Sequence, residues 1–147
     1  MKHTGGLHLI LDGRFEDNVE IDVGHIIDTF DALVESLGME YLTKPRASYV
    51  ELDESKIDTD EDEGGVSVFA QITTSHIALH VWPLRRTFCM DIFSCKDFDL
   101  NTAGSLLWKG LGFQQAVVWA IRRDASSRTL GSSESVRMVH KWQTLFV

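Results

Sequence analysis

Apolar residues recur along the chain with two different periods. In residues 6–15, Leu7, Leu9 and Leu11 alternate with other positions, which predicts a strand. From 22 to 37 the spacing lengthens. Val23, Ile26, Ile27, Phe30, Leu33, Val34 and Leu37 fall three and four apart, so a helix would gather them on one side. Asp22 suits its N-cap and Gly38 its stop. Residues 46–52 predict a second strand. After Gly64-Gly65, Val66, Val68, Ala70 and Ile72 alternate with Ser67, Phe69, Gln71 and Thr73, again the period of a strand. Residues 76–82 and 87–95 predict two more strands, joined by a turn at Pro83.

Residues 101–123 predict a second helix, with Ala103, Leu106, Leu107, Gly110, Gln114, Val117, Val118 and Ile121 on one face. Asp99 or Asn101 suits its start, and Arg122-Arg123 the negative end of its dipole. Gly110 and Gly112 each weaken that helix by about 1 kcal/mol relative to alanine. A Ser-rich loop at 126–135 leads to a final strand over 136–147. Strands joined by short turns pair antiparallel, and two amphipathic helices need a sheet to cover. The pattern predicts an α+β fold: a two-layer sandwich of a mainly antiparallel sheet with two helices on one face. A chain of 147 residues suits a single domain, 1–147.

Charge changes the picture locally. The formal net charge is −8, which argues against a nucleic-acid binder. Residues 51–63 (ELDESKIDTDEDE) hold eight of the 22 acids and one lysine, a net of −7, and predict a solvated loop. No apolar run approaches the roughly 18–20 residues that span a bilayer, and no signal-peptide pattern opens the chain. With two cysteines, Cys89 and Cys95, a cytoplasmic setting with free thiols is expected, Cys89 lying in the core.

Candidate chemistry is concentrated in residues 71–95, QITTSHIALHVWPLRRTFCMDIFSC. A metal site is not expected. His76 and His80 on one strand stand about 13 Å apart, too far to share a zinc ion, and no CxxC or HExxH occurs. Ser75-His76 lacks the GxSxG elbow of a serine hydrolase. The whole set is more specific. Ser67, Thr74-Ser75-His76-Ile77-Ala78-Leu79-His80-Val81-Trp82-Pro83-Leu84 and Asp91-Ile92-Phe93-Ser94-Cys95 resemble the processing and catalytic elements of bacterial and archaeal S-adenosylmethionine decarboxylases. The family pattern is close to E-S-H-I-S-x-H-T-W-P-E followed by Asp-x-Phe-x-Cys. Gly6-Leu7-His8-Leu9-Ile10-Leu11-Asp12 also looks like the family's first strand, and the resemblance covers roughly residues 6–123.

The resemblance implies a pyruvoyl-dependent enzyme made as a self-cleaving proenzyme. Thr74 and Ser75 would flank the scissile bond, giving chains 1–74 and 75–147. Ser75 would become the pyruvoyl group that takes the substrate amine as a Schiff base. Ser67 would assist processing, His80 would accept the proton removed during it, and Cys95 would donate a proton in turnover. An imidazole suits a base near neutral pH, and a thiol mostly protonated at that pH suits a donor. The resemblance further implies a homodimer of processed protomers and a product used in spermidine biosynthesis, with no nucleic-acid or membrane partner.

Thr74 and Leu84 stand where the family has Glu, and Arg85-Arg86 add positive charge to the same stretch. S-adenosylmethionine is the first substrate reading. Ornithine or arginine is an alternative, as is an uncleaved, non-catalytic homologue with a binding or regulatory role. Cleavage before Ser75 would part a fragment of net charge −12 from one of net charge +4.

Overall fold

The computed structural model describes residues 5–124 and the backbone of the strand at 136–145. The elements run β1 (Gly5–Phe15), α1 (Val23–Ser36), β2 (Tyr41–Val50), β3 (Gly65–Ile72), β4 (Ser75–Trp82), β5 (Thr87–Ser94), α2 (Leu100–Leu111), β6 (Phe113–Asp124) and β7 (Val136–Leu145). Seven strands form one sheet in the order β2-β3-β4-β5-β1-β6-β7. Every neighbouring pair is antiparallel. β2 to β5 form a meander of consecutive strands, while β1 lies between β5 and β6.

The alternation read in the sequence becomes the two faces of this sheet. Leu7, Leu9, Leu11, Val66, Val68, Ala70, Ile72, Ile77, Leu79, Val81, Phe88, Met90 and Ile92 are buried. The intervening residues of β4 and β5 are only half-buried. The two helices pack against each other, and their apolar stripes join the same core. α1 supplies Ile26, Phe30, Leu33 and Val34, and α2 supplies Ala103, Leu107 and Leu111. Complete burial of a side chain such as Phe30 or Leu33 contributes about 1.5–3 kcal/mol. The two-layer α+β sandwich expected from the pattern is the observed fold, and among the described residues no helix covers the second sheet face.

Asp22 caps α1 by accepting from the His25 N–H at 3.0 Å, and Asp99 caps α2 by accepting from the Thr102 N–H at 2.6 Å. The second helix, expected to reach 123, stops at Leu111. Gly112 takes the left-handed conformation (φ 65°) that ends helices, and β6 follows at once. Residues 117–121 (VVWAI) are apolar throughout, so a helical face and a strand face can both be drawn through them. The strand wins, with Ala116, Val118 and Ala120 buried against the core. Arg122 and Arg123 consequently lie on β6 rather than at a helix terminus. The expected last strand is β7; the Ser-rich loop at 126–135 lies outside the described residues.

Two further expectations change. Cys89 is not in the core. It is half-buried on the uncovered face, because Phe88, Met90 and Ile92 take the inward positions of β5. The acidic stretch is largely exposed but fastened. It contains one turn of 3₁₀ helix, Glu54–Lys56. The Arg85 guanidinium donates to the carbonyls of Lys56 (2.8 Å), Ile57 (3.3 Å), Thr59 (3.0 Å) and Glu61 (3.0 Å). It also lies 3.6 Å from the fully buried Glu63 carboxylate.

Candidate active site

The turn between β3 and β4 carries Thr74 and delivers Ser75 to the start of β4, paired in register with Ile72 and Ser94. Ser75 has a φ of 151°, a region that L-residues rarely adopt. Such outliers cost on the order of 1–3 kcal/mol and persist where the surroundings impose them. Those surroundings are specific here. The Thr74 carbonyl accepts a hydrogen bond from the Cys95 backbone N–H at 2.9 Å. The Thr74 hydroxyl accepts from the buried Ser94 hydroxyl at 2.9 Å, and Ser94 Oγ in turn accepts from the Lys96 N–H at 3.1 Å. The Thr73 N–H donates to the Glu40 carbonyl at 2.9 Å, tying the turn to the approach to β2.

Ser75 and Cys95, twenty residues apart in the sequence, are thus neighbours, and the Cys95 side chain is exposed. Gly6 lets β1 approach the Ser94–Cys95 backbone closely. A Cβ there would stand 2.1 Å from the Ser94 carbonyl oxygen and 2.8 Å from the Cys95 Cα. Neither the amide contact nor this use of Gly6 can be read from local sequence, because both follow from strand register.

Ser67 and His80 form a second cluster. They face each other across β3 and β4, with Ser67 Oγ 2.5 Å from His80 Nδ1. The His80 ring meets Trp82 edge-on at 4.2 Å. Cys89 is the partner of His80 on β5, and Asp12 the partner of Cys89 on β1. Burial and the hydrogen-bonded Asp12 carboxylate push the Cys89 thiol up to about 12. The two clusters do not meet within one chain. Five residues of extended strand separate Ser75 from His80, about 16 Å. An odd separation also places the two residues on opposite faces of β4.

The uncovered face next to Ser75 is aromatic and polar. His76 Nδ1 lies 3.0 Å from Ser75 Oγ. The His76 ring stacks near Phe69, with centroids 5.9 Å apart, and tilts against Phe93 at 6.0 Å. His8 Nε2 pairs with Asp91 Oδ1 at 2.8 Å, and the Arg123 guanidinium sits over the Phe93 ring at 4.3 Å.

The positive charge read in the same stretch lies away from the serine. Arg85 and Arg86 lie in the turn beyond Trp82, about 25 Å along β4 from Ser75. Arg85 is engaged by the acidic loop, while Arg86 donates to the carbonyls of Glu16 and Val19. Leu84 shares that distant turn, so its replacement of Glu leaves the Ser75 end of its own chain untouched.

A family model described as S-adenosylmethionine decarboxylase matches residues 8–124, and the chain belongs to that family of carboxy-lyases. Over 34 residues it is 47% identical to the arginine decarboxylase proenzyme of Caldivirga maquilingensis, a stretch covering 23% of this chain and 25% of that relative. Over 35 residues it is 43% identical to the S-adenosylmethionine decarboxylase proenzyme of Pyrobaculum neutrophilum, covering 24% and 28%. The aligned stretches therefore span about a quarter of these relatives' length. The crystal structure of the adenosylmethionine decarboxylase from Aquifex aeolicus VF5 shares the fold. Its TM-score is 0.57 over 80% of this chain and 89% of that one, at 20% identity.

Proposed function

We propose that this chain is a pyruvoyl-dependent decarboxylase that cleaves itself between Thr74 and Ser75 and acts on S-adenosylmethionine. The observation that carries this reading is the contact at the scissile bond. Attack of Ser75 Oγ on the Thr74 carbonyl carbon puts negative charge on the carbonyl oxygen, and the Cys95 N–H already points at that oxygen from 2.9 Å. A fixed donor aimed at developing charge is the usual device for stabilising a tetrahedral intermediate. The strained φ of Ser75 raises the energy of the uncleaved junction and favours its rearrangement. These residues fit the formation of a pyruvoyl group at position 75.

The pyruvoyl group supplies the electron sink that an amino-acid decarboxylation requires. The surrounding residues do the rest. The Ser94 hydroxyl ties down the Thr74 side chain, and the Cys95 N–H holds the Thr74 carbonyl. The Cys95 thiol serves as the proton donor where the carboxylate leaves, a role supported by its exposure and by its backbone contact with Thr74. Removal of the Ser75 α-proton during processing needs a base, and His80 of the same chain is about 16 Å away. Ser67 and His80 therefore serve a second protomer, in a homodimer whose uncovered sheet faces meet. Half-buried Ala78 and Trp82 on β4 and Phe93 on β5 give that face apolar surface to bury.

Arginine is the second substrate reading. The identity to an arginine decarboxylase proenzyme and the absence of Glu at 74 and 84 favour it. Release of carbon dioxide by the cleaved protein from S-adenosylmethionine, arginine and ornithine separates the readings. Turnover of S-adenosylmethionine alone is expected, and turnover of arginine alone would reassign the substrate. With S-adenosylmethionine, the product feeds spermidine biosynthesis. No described helix is long and apolar enough to cross a membrane, and two free cysteines fit a reducing cytoplasm.

A further inference from the structure

We propose that His76 is a catalytic residue of the self-cleavage, the base that takes the Ser75 hydroxyl proton and returns it to the Ser75 nitrogen. The assignment rests on Thr74–Ser75 being the bond that is cut. Its ground is geometric. His76 Nδ1 is 3.0 Å from Ser75 Oγ within the same chain, whereas His80 lies about 16 Å along the strand. General bases work at hydrogen-bond distance from the proton they remove. The ring is also held in place, with Phe69 stacked near it and Phe93 tilted against it.

The surroundings favour the unprotonated imidazole. Burial lowers its pKa below the ordinary value, as does the neighbouring His8 on β1, while Asp91 on β5 opposes and Arg123 on β6 reinforces the shift. Asp91 is already hydrogen-bonded to His8. Across from His76 on β3 stands the uncharged Gln71, and β2, one strand further out, carries Lys44 and Arg46. A neutral ring with its proton on Nε2 presents the Nδ1 lone pair to the serine hydroxyl.

The step balances as follows. Ser75 Oγ–H gives its proton to His76 Nδ1 as Oγ bonds to the Thr74 carbonyl carbon. The carbonyl electron pair moves to oxygen, facing the Cys95 N–H. The intermediate collapses by breaking the carbon–nitrogen bond, and the Ser75 nitrogen takes the proton back from His76. The result is an ester joining the Thr74 carbonyl to Ser75 Oγ and a free amine on Ser75, with no proton gained or lost. Elimination of that ester is a separate step and needs a base at the Ser75 α-carbon, the role given above to His80 of the second protomer. Two histidines thus serve two successive steps.

Cell-free translation of the full chain starts the clock on uncut protein, and hydroxylamine reports the ester by cutting it. The wild type is expected to cleave. The His80→Ala chain should stall as an ester that hydroxylamine releases. His76→Ala and His76→Asn should cleave about 100-fold more slowly or worse and give no fragment with hydroxylamine. Imidazole added to His76→Ala should restore cleavage. Wild-type cleavage should hold its rate from neutral pH to below about 6.5 and fall only at lower pH, as the ring protonates. The assignment is overturned if either His76 variant forms ester at the wild-type rate. It is also overturned if imidazole leaves a His76→Ala chain of wild-type circular dichroism uncut. A wild-type chain that stays intact overturns the proposed function, and this assignment with it.

Discussion

At Cys95 the duties proposed for the backbone and for the side chain are separable. The amide donates to the Thr74 carbonyl, and the thiol is exposed. Cys95→Ala keeps the amide and loses the thiol. This variant is expected to cleave within a few-fold of the wild-type rate, while carbon dioxide release falls about 10²–10⁴-fold, the usual cost of losing a positioned acid. Intact mass and carbon dioxide assays on one preparation check both halves. The sequence singled out Thr74, Ser75 and Cys95, and the fold brings the Cys95 backbone against Thr74. The donor that polarises the carbonyl was not legible, because every residue but proline has an N–H and only register decides where it points. Gly6 was hidden for the same reason: its contact is with a strand more than eighty residues away.

Among the elements, strands were read well where inward and outward residues differ in kind, as in β3, β4 and β5. The reading failed at β6, where Val117, Trp119 and Ile121 on the uncovered face are as apolar as Val118 on the core face. A strand whose outer face is apolar loses the alternation that identifies it. Gly112 was the available signal, as a helix stop rather than a weak helix residue. The acidic loop shows the converse. Its composition announced exposure but not the Arg85 guanidinium that fastens it. Arg85→Ala would leave the buried Glu63 carboxylate without its counter-charge and free the carbonyls of Lys56 to Glu61. Urea unfolding is expected to show a loss of about 3–5 kcal/mol, the usual penalty for stranding a buried ion. Limited proteolysis should become faster within 53–62. Unchanged values in both would mean that the loop is held by other contacts.

For the whole molecule, the order of strands matters more than the balance of charge. Fragments of net charge −12 and +4 attract, but salt screens that attraction. The sheet joins them more firmly. β4, from the second fragment, pairs with β3 of the first, and β1 of the first lies between β5 and β6 of the second. Cleavage before Ser75 would therefore leave the sheet's pairing intact. The separation of Ser75 from His80 has its own consequence. When Ser75→Ala and His80→Ala chains are co-expressed with different tags, the His80→Ala chain is expected to be cut, because its serine meets the intact histidine of the other copy. Each variant expressed alone should stay whole. A mixture that stays uncut would contradict a shared site.

The most direct test of the central claim is a denaturing mass spectrum of the purified wild-type protein. Self-cleavage at Thr74–Ser75 predicts two chains, 1–74 and 75–147, the second blocked at its start by a pyruvoyl group in place of an amine. A single intact chain of 16.6 kDa after prolonged incubation would contradict it.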